Sequence, residues 1–348
     1  PCRSHLRTGC AGRAAPHPAS VGASATFSLR AKSRLRRLRS DTRLRAQPLR
    51  GRLLRRMFFM KLNDLIKHIP HTGTSDMDIT AIIYDSRKAA AGSLFVCLVG
   101  AWLDGHTYAA SAYQNGCRAF LVEHTLDLPA DAVQIVTDDT RAALAVIGAD
   151  FYGNPADELH LIGITGTKGK TTTALLTAAI MTEAGLPCAY IGSNGVDIAG
   201  VHEATANTTP ESLELHRLFR KMLDAGVHHC VLEVSSQALR HHRVDGVPFE
   251  VVAFTNLSED HIGPGEHPDF EDYKCAKRRL FAEYNARTMV YNVDDPYSDF
   301  MREGFQGEQV SFGIKAEADY RGVMLAQYRN RMALGIDFVC RCAGQSTH

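Results

Sequence analysis

The sequence predicts an α/β fold in two units, a small mixed α/β unit followed by a larger one built on a largely parallel sheet. Three observations predict it. Short continuous apolar runs at 159–165, 230–234 and 251–254 are the mark of strands covered on both faces. Helical segments alternate with such runs, the pattern of a parallel sheet joined by crossover helices. One strand also runs straight into a glycine-rich loop, Gly163-Ile164-Thr165-Gly166-Thr167-Lys168-Gly169-Lys170-Thr171-Thr172-Thr173, that opens a helix.

The first 56 positions stand apart. Of the chain's 39 Lys and Arg and 38 Asp and Glu, they hold fourteen Arg, one Lys and one Asp, which leaves 24 basic and 37 acidic residues from position 57 on. There is no Met before Met57 and no hydrophobic periodicity before Phe58. Segment 1–56 is therefore read as a basic non-domain stretch, upstream translation with initiation at Met57 or Met60, in preference to a transit peptide or a nucleic-acid arm. The acidic balance that follows argues against general affinity for nucleic acid or anionic membrane. No apolar run reaches the roughly 20 residues that span a bilayer. The nine cysteines (2, 10, 97, 117, 188, 230, 275, 340 and 342) include no Cys-x-x-Cys pair and sit mostly among apolar residues. Reduced thiols in a cytoplasmic protein are expected, with Cys340 and Cys342 on one face of a strand.

The first unit is placed at 57–154. A short amphipathic helix over 62–69 precedes strands over 79–84 and 93–99, a helix over 108–115, and strands over 119–122 and 132–136. Gly153-Asn154-Pro155 ends the next helix and marks the boundary. The second unit, 155–348, opens with a strand over 159–165 and a helix over 171–184 stopped by Gly185-Leu186-Pro187. A helix over 210–225 takes Thr209 as its N-cap and Pro210 in its first turn, with Leu213, Leu218, Met222 and Leu223 as its buried stripe. Strands follow at 230–234, 251–254 and 288–291, and 334–339 is strand-like.

In open α/β sheets ligands bind beyond the carboxyl ends of the strands, and polar clusters fall there. Glycines in the loop let backbone N–H groups approach an anion, and the helix adds the positive end of its dipole. Lys170 can reach outer phosphates and Thr171 can ligate Mg²⁺. The loop is shorter than the usual phosphate-binding pattern, because position 164 is Ile where that pattern has glycine. Glu233, ending the 230–234 run, suits Mg²⁺ directly or through water, or caps a helix start. Asp260 and His261, after 251–254, and Asn292-Val293-Asp294-Asp295, after 288–291, are ordinary turn residues taken singly. The functional reading rests on four strand ends of one sheet carrying such groups.

With these residues in place, the chain resembles the Mur ligase family, most closely its MurE type, which adds the third residue of the peptidoglycan stem. The loop 166–172 is similar to the family's ATP loop, with Lys168 where Asn is familiar. Glu233-Val234-Ser235-Ser236-Gln237-Ala238-Leu239 matches with Gln237 in place of His. Asn256-Leu257-Ser258-x-Asp260-His261, Tyr273-x-x-Ala276-Lys277-x-x-Leu280-Phe281 and Asn292-x-Asp294-Asp295 also match, as do Asp85-Ser86-Arg87 and Asp104-Gly105-His106 in the first unit. The resemblance runs from Met60 to the end.

It implies a UDP-substrate-binding first unit and an ATP-binding second one. Gly166, Thr167, Lys168, Gly169, Lys170, Thr171 and Thr172 would hold the phosphates of ATP, with Asn256 and Asn292 also in the ATP site. Thr171 and Glu233 would hold one Mg²⁺, and His261 with a carbamylated Lys277 a second. Lys170, Glu233, His261 and Lys277 form the implied catalytic set. Ser86, Arg87 and His106 would contact the uridine or its diphosphate, and Thr208, Thr209, Ser235 and Arg243 the muramoyl-peptide portion. The implied reaction is ATP-driven amide formation through an acyl phosphate, joining UDP-N-acetylmuramoyl dipeptide to an amino acid in a cytoplasmic monomer. The alternatives are another Mur-type ligase, a folylpolyglutamate synthetase, or a non-catalytic nucleotide binder. The family's third domain, which holds the incoming amino acid, is expected to lie beyond His348, so this chain is expected to be an inactive, poorly soluble fragment.

Overall fold

The computed structural model describes residues 59–330, 333–342 and 345–347, so the basic stretch expected over 1–56 lies outside the described residues. In the first unit β1 (Met60–Lys61) and β2 (Asp78–Ile79) make a two-stranded antiparallel ladder. Next, β3 (Ala81–Ile83), β4 (Ser93–Val96), β5 (Ala119–Val122) and β6 (Val133–Val136) form a parallel sheet in that order. The strand expected over 79–84 is thus two strands in two sheets. Thr80 divides them, because its N–H turns aside to the Gly92 carbonyl at 2.8 Å. Helix α1 (Leu62–Ile66) is shorter than expected. Pro70 disfavours helical geometry at Ile69, and the chain closes with a turn from the Ile69 N–H to the Ile66 carbonyl.

The sheet is covered on both sides, which explains its uninterrupted apolar runs. Leu94, Val96 and Leu121 face a core shared with α1 and α3 (Thr140–Phe151), while Phe95, Phe120 and Val122 face α2 (Ala109–Gln114). Asp139 caps α3 by accepting from the N–H groups of Arg141 and Ala142.

The second unit is an eleven-stranded sheet. In chain order its elements are β7 (His160–Thr165), α4 (Lys170–Glu183), β8 (Cys188–Gly192), β9 (Gly195–Ile198), β10 (Val201–Glu203), α5 (Ser212–Asp224) and β11 (His229–Glu233). Then come α6 (Ser236–Arg240), β12 (Phe249–Phe254), α7 (Phe270–Ala282), β13 (Thr288–Asn292), α8 (Ser298–Arg302), β14 (Glu308–Gly313), β15 (Tyr320–Asn330), β16 (Ala333–Cys342) and β17 (Gln345–Thr347). The spatial order is β10-β9-β8-β11-β7-β12-β13-β14-β15-β16-β17. Every pair from β8 to β15 is parallel, and antiparallel strands finish both sides. Cys340 and Cys342 lie on one face of β16, with their sulfurs 3.6 Å apart.

Helix α5 corrects one expectation. It starts at Ser212, after Glu211, and Thr209 does not cap it. The Thr209 hydroxyl is buried and donates instead to the Glu233 carbonyl at 2.8 Å, which holds the segment before the helix against β11. The stripe is otherwise as expected, with Leu213, Leu218 and Met222 buried and Leu223 partly so, and Leu215 and Phe219 join it.

The two units share an apolar contact. Leu213 belongs to the core of the first unit, and a β-carbon at Gly148 would come within 3.2 Å of the Leu213 Cα, so glycine there permits the close crossing of α3 and α5. At the rim, the chain's single tryptophan, Trp102, lies against Gly265; a β-carbon on that glycine would reach within 2.7 Å of the indole Nε1. Among the described residues no helix is long and apolar enough to cross a membrane.

Candidate functional site

Ile164 sits within β7, paired to Glu233 on one side and Ala253 on the other, so the turn begins only at Gly166. Gly166 has φ of 146° and Gly169, just before α4, has φ of 85°. A β-carbon at Gly166 would strike the Thr255 hydroxyl, whereas one at Gly169 would meet open space. The loop is therefore fastened along one side and open at its mouth. The fastening is to the end of β12. Thr167 N–H donates to the Asn256 carbonyl at 2.8 Å, Lys168 N–H to Asn256 Oδ1 at 3.0 Å, and Asn256 Nδ2 to the Lys168 carbonyl at 2.9 Å. The Thr167 hydroxyl contacts the Tyr273 hydroxyl at 3.1 Å and accepts from Ser258 N–H at 3.0 Å. Asn292 ties β13 to β12 through Nδ2 and the Thr255 carbonyl at 2.9 Å. Thr172 is exposed on the first turn of α4.

Two lysines converge on this loop. Lys170 Nζ donates to the carbonyls of Gly166 (2.8 Å) and Thr167 (3.0 Å). Lys277 Nζ donates to the same Gly166 carbonyl at 2.9 Å and lies 4.5 Å from the centre of the Tyr273 ring. Burial lowers the pKa of both. Lys277 falls well below the ordinary lysine value, through burial first and then the positive charge of Lys170. The pair is reachable only through tertiary folding, since α7 brings Lys277 beneath a loop 111 residues earlier in the chain.

Glu233 ends β11 fully buried. Its carboxylate accepts from the Thr171 hydroxyl (2.9 Å), the Tyr190 hydroxyl (2.6 Å), Ser193 N–H (3.0 Å) and the Ser193 hydroxyl (3.4 Å). Gly192 leaves space for this arrangement, because a β-carbon there would strike Glu233 Oε1 and the Tyr190 hydroxyl. Tyr190 and Ser193 were not read from the sequence. Tyr190 lies mid-strand in β8 and Ser193 just past its end, and it is the pairing of β8 with β11 that brings both to Glu233.

His261 stands further off. It is half exposed with φ of 55°, its Nδ1 lies 3.1 Å from Glu266 Oε1, and its ring centre is 6.2 Å from that of Tyr273. Among the described residues, no three His, Cys, Asp or Glu side chains form a group able to hold a metal ion. The oxygen pair Thr171–Glu233 still suits Mg²⁺, which commonly takes one or two carboxylates and completes its shell with water and phosphate oxygens.

A second cluster shares Glu233. Thr209 reaches its carbonyl and also lies 3.3 Å from Ser235 Oγ, which caps α6 by accepting from Ala238 N–H. Thr208 Oγ1 is 3.0 Å from Ser193 Oγ. Arg243 donates to the Thr209 carbonyl at 3.2 Å and pairs with Glu211 at 2.9 Å, while Arg141 of the first unit grips the other Glu211 oxygen at 3.0 Å. Tyr84, at the end of β3, has its hydroxyl pKa pushed up to about 12 by burial and then by the charges of Glu211 and Glu214.

Ser86, Arg87 and His106 follow β3 and β4 in adjacent loops. Arg87 makes a two-pronged pair with Asp85 at 2.8 Å and remains largely exposed; this pairing holds the Asp85 carboxyl down to about 2. The Ser86 carbonyl accepts from Asn115 Nδ2 at 3.0 Å. His106 is buried with both ring nitrogens in use: Nδ1 donates to Asp104 at 2.6 Å, and Nε2 accepts from Glu123 N–H at 2.9 Å. As it stands, His106 fastens β4, β5 and their loops together.

Residues 78–152 match the family model described as "Mur ligase family, catalytic domain", and 164–339 match "Mur ligase middle domain". The UDP-N-acetylmuramoyl-L-alanyl-D-glutamate–2,6-diaminopimelate ligase of Clostridium perfringens is 38% identical over 279 residues, covering 78% of this chain and 57% of the relative. The Bacillus licheniformis protein of that name is 41% identical over 271 residues, 76% of this chain and 55% of its own. A solved structure of a ligase of the same name superposes with a TM-score of 0.70 at 27% identity, over 82% of this chain and 58% of that one. An Acinetobacter baumannii MurF structure, at 21% identity and a TM-score of 0.55 over 82% of this chain and 58% of that one, shares the fold. The chain thus spans a little over half the length of these curated relatives. With both family models matched and 38–41% identity over more than three quarters of the chain, the chain belongs to the Mur ligase family.

Proposed function

We propose that this chain carries the ATP and sugar-nucleotide parts of an amide ligase that adds the third amino acid to UDP-N-acetylmuramoyl-L-alanyl-D-glutamate. Residues 57–154 would be the UDP-substrate unit and 155–348 the ATP unit. The observation that carries this reading is the double use of Glu233. Its carboxylate receives Thr171 of the phosphate loop, and its carbonyl receives Thr209 of the peptide-side cluster. A γ-phosphate at the loop mouth and a substrate carboxylate near Thr208, Thr209, Ser235 and Arg243 would meet at one strand end, which is the positioning that phosphoryl transfer needs.

In this reading the backbone of 166–172 cradles the phosphates, and Lys170 swings from the Gly166 and Thr167 carbonyls onto phosphate oxygens. Asn256 and Asn292 flank the nucleotide, while Ser86 and Arg87 face the UDP moiety and His106 supports them. Mg²⁺ held by Thr171 and Glu233 would offset phosphate charge. The neutral amine that burial favours at Lys277 is the form that adds CO₂: the N–C bond forms, a proton leaves, and the anionic oxygen donor that results would join His261 in holding a second Mg²⁺. The substrate carboxylate attacks the γ-phosphorus and ADP leaves; the incoming amine then displaces phosphate from the acyl phosphate. The names of the relatives support diaminopimelate as that amine, and the setting proposed for the reaction is a cytoplasmic monomer.

Calorimetry tests this directly. The chain should bind ATP with Mg²⁺ and, separately, UDP-N-acetylmuramoyl-L-alanyl-D-glutamate, with Lys170→Ala losing only the first. In a version extended to the relatives' length, Lys170→Ala should abolish dipeptide-dependent ADP release. Release at the unsubstituted rate would refute the assignment.

A further inference from the structure

His267 is fully buried, and no step above uses it. Its Nδ1 lies 2.6 Å from Asp272 Oδ2 and its Nε2 2.8 Å from Ser236 Oγ. A carboxylate only accepts, so Nδ1 carries the proton and Nε2 is left to accept from the Ser236 hydroxyl. The His267 backbone N–H donates to the His261 carbonyl at 3.1 Å, and the Gly263 N–H donates to the His267 carbonyl at 3.0 Å. The imidazole also meets the Tyr273 ring edge-on at 5.2 Å.

These bonds join three separate pieces of chain. Ser236 opens α6, three residues after Glu233. Asp272 lies in the first turn of α7, five residues before Lys277 and next to Tyr273, whose hydroxyl touches Thr167 of the phosphate loop. The turn 261–267 carries His261. Each piece therefore holds one of the groups expected around the nucleotide's metal, and one buried residue contacts all three.

We propose that His267 is a positioning residue whose two ring hydrogen bonds and backbone N–H set the mutual spacing of Glu233, His261 and Lys277. Its role is that of a partner behind the ligands, of the kind whose loss weakens metal binding. This inference rests on the ATP-site reading above, and the experiment separates the two.

ATP binding is measured by calorimetry on the whole chain, once with Mg²⁺ and once with a chelator. His267→Ala should weaken the Mg²⁺-dependent part of the affinity by about 10- to 100-fold, with metal-free binding unchanged. His267→Asn, which can still reach Asp272, and His267→Gln, which can still reach Ser236, should each recover part of the loss. Should His267→Ala fail to melt cooperatively, Ser236→Ala, which removes a single bond, should show the same Mg²⁺-selective loss at smaller size. Mg²⁺-dependent affinity equal to the unsubstituted chain, or an equal loss with and without Mg²⁺, overturns the proposal. An unsubstituted chain that binds no ATP under either condition overturns the ATP-site reading and this inference with it.

Discussion

The Thr171 hydroxyl and the Glu233 carboxylate meet at 2.9 Å, joining the first turn of α4 to the end of β11. Every polar contact to that carboxylate comes from a donor, and one of them, the Ser193 N–H, cannot reverse its role. Glu233→Gln places an amide NH₂ among these donors. We expect a loss of about 1–3 kcal/mol, read as a lower urea midpoint at neutral pH. An unchanged midpoint would show that the hydroxyls reorganise without cost.

Lys277 should cost the fold stability. Its pKa in the fold lies well below the 10.5 of an exposed lysine, because burial and then Lys170 disfavour its charge. As pH falls below 10.5 the unfolded chain takes up a proton that the folded chain refuses, so the native state loses ground until its own pKa is reached. Lys277→Met should therefore raise the melting temperature at neutral pH, and the gain should shrink as pH approaches 10.5. The Gly166 carbonyl keeps its bond from Lys170 in this variant. A gain that grows with pH has the wrong sign for this account.

The joint between the units is a carboxylate shared by two guanidiniums. Glu211 is 15% exposed and lies 2.9 Å from Arg243 and 3.0 Å from Arg141. Glu211→Ala leaves both largely buried charges without their acid, and breaking a pair of this kind costs up to about 3–5 kcal/mol when burial is complete. Arg87→Ala removes an exposed partner of Asp85 and should leave the midpoint nearly unchanged. Parallel denaturant melts of the two variants provide the comparison; similar losses would contradict the burial argument.

Acid should unfold the protein partly through His216. This side chain is 2% exposed, and burial pushes its pKa down to about 4. The unfolded chain protonates near 6.5 while the folded chain stays neutral, so the stability present above pH 6.5 is lost progressively down to about 4. The free energy lost across that interval, at roughly 1.4 kcal/mol for each pH unit, comes to about 3 kcal/mol. His216→Phe should flatten the stability profile between those limits, as measured by urea melts across the range. An unaltered profile would assign the acid sensitivity elsewhere.

Much of this layout was readable before folding. The apolar runs of β7, β11, β12 and β13 are continuous because helices cover both faces, and their polar ends gather because these strands are neighbours in the sheet. The loop glycines, Thr171 and Glu233 announce themselves by residue type at a strand end. What could not be read depends on contacts distant in sequence. Lys277 stands out in the sequence only through the family resemblance, and its place under Gly166 is set by α7; His267 is one histidine among 16 until Ser236 and Asp272 close on its ring. Thr209 misled because a threonine before a Pro and an apolar stripe resembles a cap, while the folded chain offers its hydroxyl the Glu233 carbonyl instead.

Trp102 supplies the protein with an optical reporter of its own. Its indole rests against Gly265, on the turn that also holds His261, and no second tryptophan contributes a background signal. Displacement of that turn, or of the first unit against it, changes the solvation of a single chromophore. Because the indole is 76% exposed, a turn that closes over it should shift its emission to shorter wavelength, which titration with nucleotide in unlabelled protein would read.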